Sequence, residues 1–181
     1  DFTGTTLDLA KWVKTGSAGS NVIVDTNFAA LKIIGNNTFT GNNIVSVASY
    51  TRASLPVLVV DVWQPDRLYS TFIGYVTGPN TDFSDFRHGV GIRATAAGGP
   101  YSVVVYENGV LLANVTTGSP NVFYSIRITP GVVKGALYEI QGGVTWPLLG
   151  GPTWTALFDS RGASAVSSTP LKIACCSYYG Q

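Results

Sequence analysis

Apolar and polar positions alternate along most of this chain with a period of two, and the alternation is clearest between Tyr101 and Ile140. Tyr101-Ser-Val-Val-Val-Tyr106 is β-branched and aromatic, and Val110 to Val115 runs back out. Asn108-Gly109 between them supplies the positive φ angles that a two-residue hairpin turn needs. Val122, Tyr124, Ile126 and Ile128 then alternate with Phe123, Ser125, Arg127 and Thr129, which gives a strand with one apolar face. The same reading predicts strands over Asn21–Asp25, Phe28–Ile34, Asn43–Ser49, Pro56–Trp63, Tyr69–Val76, Arg87–Ala94, Tyr101–Tyr106, Val110–Val115, Val122–Thr129, Ala136–Gln141, Thr153–Asp159 and Leu171–Ser177. Leu7 to Lys14 predicts one short helical turn after Asp8. Gly-Asn-Asn at 35–37 and 41–43, Gly78-Pro79-Asn80, Gly98-Gly99-Pro100 and Gly150-Gly151-Pro152 punctuate the strands. Short strands at this spacing predict an all-β, two-sheet antiparallel β-sandwich, and without linker or repeat residues 1–181 read as one domain.

Alternation also assigns faces. Leu58, Val60 and Val62 form an apolar row, with Asp61 and Trp63 opposite. His88, Val90 and Ile92 point one way and Arg87, Gly89, Gly91 and Arg93 the other; Arg127, Glu139 and Gln141 each oppose the apolar row of their own strand. If these strands share one sheet, its outer face carries Asp61, Trp63, Arg87, Arg93, Arg127, Glu139 and Gln141. One indole among guanidinium, carboxylate and amide groups suits sugar hydroxyls, which take bidentate polar partners and an aromatic platform. An ordinary solvated face with cross-strand ion pairs explains the same residues.

Composition narrows the function classes. Only 12% of residues are charged and the net charge is +1, so no basic footprint for nucleic acid or anionic membrane is present. No apolar run approaches the roughly 20 residues that span a bilayer, so membrane insertion is not expected. Polarity carried by Ser, Thr, Asn and Gly fits a secreted or surface-displayed β protein, hence an extracellular location. A chain with no methionine that begins at Asp1 reads as a processed or excised form. Asn36-Asn37-Thr38 and Asn114-Val115-Thr116 match the glycosylation acceptor pattern, which arises often by chance. The two cysteines, Cys175 and Cys176, are adjacent and point to opposite faces of a strand, so a bond between them would strain the backbone. One buried and one outward thiol is expected, the outward one available for an inter-subunit bridge.

The opening Asp1-Phe-Thr-Gly4 and Leu7-Asp8-Leu-Ala-Lys11-Trp12 resembles the entry strand of concanavalin A-like lectin/glucanase domains. The resemblance continues in Tyr124-Ser-Ile-Arg-Ile128, Ala136-Leu-Tyr-Glu-Ile140, Trp154-Thr-Ala-Leu157 and Leu171-Lys-Ile-Ala174, much like late strands of laminin G-like and family 16 glucanase-like sandwiches. It implies a jelly roll of two curved sheets with ligands on the concave face or the rim loops.

Catalytic patterns are weak. The Glu-x-Asp-x-x-Glu strand of family 16 glucanases is absent, and the only glutamates, Glu107 and Glu139, are far apart. A retaining glycosidase needs two carboxylates ~5.5 Å apart; Glu107 abuts a hairpin turn and Glu139 lacks a partner. His88, the only histidine, points with Val90 and Ile92 and has no Gly-x-Ser-x-Gly elbow to serve. Asn80, Asp82 and Asp85 place three side-chain oxygens in one loop, a candidate Ca²⁺ site or a set of Asx turns.

Two functions of different class follow. The first is a non-catalytic extracellular glycan-binding or adhesion module that contacts a cell-surface polysaccharide through Asp61, Trp63, Tyr69, Arg87, Arg93, Arg127, Glu139 and Trp146. The second is a self-assembling subunit of a filament, sheath or capsid, a homo-oligomer joined by edge strands or by the aromatic tail Tyr178-Tyr179-Gly-Gln181. A glycoside hydrolase using Glu107 and Glu139 ranks third.

Overall fold

Every strand pairing in the structure is antiparallel. The computed structural model describes residues 4–15, 21–25, 30–34, 42–62, 69–78, 86–94, 101–107, 110–116, 124–131, 137–144, 155–159 and 169–179. Among them run β1 (Trp12–Thr15), β2 (Asn21–Asp25), β3 (Ala30–Ile34), β4 (Asn42–Ser46), β5 (Leu58–Val62), β6 (Tyr69–Val76) and β7 (Phe86–Ala94). They continue with β8 (Tyr101–Glu107), β9 (Val110–Thr116), β10 (Tyr124–Gly131), β11 (Leu137–Val144), β12 (Thr155–Asp159) and β13 (Lys172–Tyr179). The described residues contain one turn of 3-10 helix, Arg52–Ser54, and no α-helix.

The element that alternation does not predict is β1. The turn after Asp8 does form: the Asp8 carbonyl accepts from the N–H groups of Lys11 (3.1 Å) and Trp12 (3.0 Å), and its carboxylate accepts from the Ala10 N–H (3.0 Å). It lasts a single turn, because pairing with β4, a long-range contact, then draws Trp12 onward into a strand.

One sheet has seven strands in the order β1-β4-β13-β6-β7-β8-β9, and the other has four in the order β12-β11-β10-β5; β2 and β3 form a separate hairpin. The architecture is a two-sheet antiparallel β-sandwich with jelly-roll-like strand order. Its seven-stranded sheet is covered on both faces around its central strands, while Val13 on β1 and Val110 and Leu111 on β9 are exposed. Val45, Phe72, Val76, Val104, Ala174 and Cys176 form one buried cluster. The opposite face buries Leu7 and Ile44, with Trp12, Leu31 of the β2–β3 hairpin and Cys175 packed against them. Phe72 through Val76 and Ser102 through Val105 are buried at every position, which alternation alone would assign to only one side.

This double burial corrects the expected disposition of the thiols. Cys176 is fully buried in the first cluster and Cys175, on the opposite face as alternation places it, is half-buried against the second rather than freely exposed. Burial pushes the Cys175 thiol up to about 12, away from the thiolate that disulfide exchange requires. Tyr178 and Tyr179 are likewise no free tail: they end β13 and pair with Ser70 and Tyr69.

Polar contacts tie the layers. The buried Ser46 hydroxyl accepts from the Ile173 N–H (2.9 Å) and donates to the Ala48 carbonyl (2.8 Å), so its burial carries no unmet hydrogen bond. The Tyr75 hydroxyl donates to the Pro56 carbonyl just ahead of β5, a bond between the strand systems of the two sheets, and burial pushes its pKa well above the usual phenol value. Tyr75→Phe keeps the ring and deletes this bond. We expect it to cost about 1–3 kcal/mol, read as a lower urea midpoint; an unchanged midpoint would mean that water satisfies Pro56 equally well.

Candidate functional site

The four-stranded sheet presents one closed and one open face. On the closed side Ile128 and its register partner Leu58 are buried. On the other, Val59 is 58% exposed, and Arg127 and Thr129 are half-buried. Just ahead of β5, Val57 is 50% exposed. The open face is therefore the one that carries Arg127.

Register orders this face into rows. Asp61, Ser125 and Gly143 form one; Val59, Arg127, Gln141 and Ala156 form the next; Thr129, Glu139 and Asp159 form the third. Directly opposed residues of an antiparallel pair have their Cβ atoms about 5 Å apart. Arg127 thus stands in the middle row, between Val59 on β5 and Gln141 on β11. Glu139 stands opposite Asp159, one residue from the bulge at Ile140/Gln141. Asp159 escaped the sequence reading because a bulge resets the register between β11 and β12, and spacing along the chain does not reveal it. All charged residues of these four strands, namely Asp61, Arg127, Glu139 and Asp159, fall in the three rows.

The remaining expected site residues separate from this face. Arg87 and Arg93 lie on β7, in the seven-stranded sheet, so the single mixed face expected for the chain divides in two. Arg93 shares its row with Ser70 and with fully buried Ser102, whose hydroxyl has no hydrogen-bond partner among the described residues. Gly91, two residues away on the same side, lies between Phe72 and Val104, both fully buried. On the β7 face that alternation paints as outer, Gly91 therefore has a fully buried neighbour on each adjoining strand. Arg87 falls at the irregularity where the β6–β7 register shifts, and His88 pairs with buried Tyr75. Tyr69 begins β6 and pairs with Tyr179.

Glu107, the last residue of β8, pairs with Val110 across the hairpin and lies in a different sheet from Glu139, so the two do not come together on one sheet. Trp63, Trp146, Asn80, Asp82 and Asp85 lie outside the described residues. The strands that lead to the tryptophans end side by side: Val62 of β5 and Val144 of β11 both pair with Tyr124. Among the described residues no group of three or more His, Cys, Asp and Glu is placed to hold a metal ion, and no helix is long and apolar enough to cross a membrane.

No protein-family model matches the chain, and no curated protein does. Among solved structures the chain is similar to the carbohydrate-binding module CBM66 from Bacillus subtilis, with a TM-score of 0.50 and 12% identity over 98% of this chain and 94% of that one. At that identity the likeness is one of fold: it bears out the jelly-roll sandwich in general, and neither the laminin G-like nor the family 16 branch in particular.

Proposed function

We propose that this chain is a non-catalytic carbohydrate-binding module that receives glycans on the open face of the four-stranded sheet. The observation that carries the reading is that this sheet leaves Val59 exposed and Arg127 and Thr129 half-buried on one face, while the central strands of the seven-stranded sheet are buried on both faces. Carboxylates accept hydrogen bonds from sugar hydroxyls and a guanidinium donates to them, so rows holding Asp61, Arg127, Gln141 and Glu139 offer both polarities at sugar-ring spacing. Trp63 and Trp146 follow the ends of β5 and β11 in the chain, and we assign them the apolar platform that stacks on a ring. A similar fold serves as a carbohydrate-binding module in Bacillus subtilis. An extracellular polysaccharide is the fitting partner for a chain with so little charge.

A glycan array followed by titration calorimetry tests this. Arg127→Ala and Trp63→Ala should each weaken binding by about tenfold or more, roughly 1.4 kcal/mol, without lowering the melting temperature by more than a few degrees. Full affinity in both variants would remove the open face from the binding reaction. Turnover of a bound oligosaccharide would overturn the non-catalytic reading and point to Glu139 with Asp159.

A further inference from the structure

The division of charge between the two sheets bears on which glycans the open face accepts. With Arg87 and Arg93 on the same face, the expected site would hold three guanidiniums against two carboxylates. Among the described residues of the four strands the register removes both arginines and adds Asp159, so that three carboxylates accompany the one guanidinium of Arg127. In a chain whose net charge is +1, the described strands of this sheet thus carry more negative than positive charge on their open face.

We propose that this face selects glycans by charge, admitting uncharged and amino-bearing sugars and rejecting uronic-acid and sulfated ones; the inference rests on the glycan-binding reading above. Same-face rows along a strand are about 7 Å apart, so every carboxylate lies within about one Debye length of the next row at 0.15 M salt. Screening therefore weakens the repulsion of an incoming anion by about half without abolishing it. Glu139 and Asp159 stand directly opposed in the register, which sets their Cβ atoms about 5 Å apart, and two like charges there favour hydroxyl or ammonium donors over a third anion. Arg127 neutralises one charge and orients a ligand, and it does not reverse the sign of the face.

The test measures binding of the intact chain, at 0.15 M salt and pH 7, to neutral, amino-bearing and uronate oligosaccharides of equal length and linkage. The neutral form should bind at least about tenfold more tightly than the uronate, and the free amine more tightly than its N-acetylated counterpart. Raising salt to about 1 M, where the Debye length falls to about 3 Å, should narrow the gap. The triple variant Asp61→Asn, Glu139→Gln, Asp159→Asn should close it, and the salt series on the unaltered chain gives the same answer should that variant fold poorly. A uronate bound as tightly as the neutral sugar, or a gap indifferent to salt, would overturn the charge selection while leaving glycan binding standing. Failure to bind any glycan would remove the glycan-binding reading, and the selectivity with it.

Discussion

Phe72→Ala should destabilise the fold by about 3–5 kcal/mol, the range for deleting a fully buried ring. Phe72 has no exposed surface and sits mid-strand in β6, in the cluster with Val45, Val76, Val104, Ala174 and Cys176. Its register partners are Cys176 on β13 and Gly91 on β7. Neither has a side chain large enough to swing into the vacated space, so the cavity stays open and the cost falls at the upper end of the range. Domains of this kind carry about 5–15 kcal/mol in total, so the variant approaches the threshold of folding at all. Urea unfolding followed by tryptophan fluorescence measures the effect. A loss below about 1 kcal/mol would mean that the cluster is not close-packed around the ring.

Stability should also fall steeply in mild alkali. The folded state holds the Cys175 proton up to about 12 because burial disfavours the thiolate, whereas an unfolded thiol releases it near 9.0. A folded-state pKa raised above the unfolded value gives stability that is complete below the unfolded pKa and is lost as pH rises through the interval. The loss begins near pH 9.0 and runs toward 12, at about 1.4 kcal/mol per pH unit. Above the ordinary phenol value of 10.0, Tyr75, also raised by burial, contributes a second loss of the same sign. Cys175→Ala should delay the onset by about one pH unit, leaving the tyrosine's share. Urea midpoints between pH 7 and 11 for both proteins decide the matter. Superimposable profiles would show that Cys175 ionises equally in the folded and unfolded states.

Alternation alone locates β2 and β6 to the residue, because their apolar runs are bounded by turn formers on both sides. What it does not carry is membership of a sheet. Period-two patterning says which residues of a strand share a side; it does not say which strand lies next door. Arg93 and Arg127 look equivalent in the sequence yet belong to different sheets. It is also blind to what covers a face: Gly89 and Gly91 read as polar-side positions because they are not apolar, although Gly89 is buried and Gly91 lies between Phe72 and Val104. The adjacent cysteines fail for the same reason, since opposite faces imply opposite environments only when one face is wet. Of the candidate site, Asp61, Arg127 and Glu139 were legible from alternation, and Asp159 required the register beyond a bulge.

The place of β13 in the seven-stranded sheet has a consequence for how the chain is made. The pair β1–β4 and the block β6–β9 have no hydrogen-bonded strand in common except β13, the last strand in sequence order. A nascent chain emerging from the ribosome can build the β6–β9 meander from neighbours in sequence. It cannot join that meander to β1 and β4 until residues 172–179 are outside the tunnel. Closure of this sheet therefore waits for β13, and until it occurs the inner edges of β4 and β6 stand open to any chaperone or stray strand that meets them.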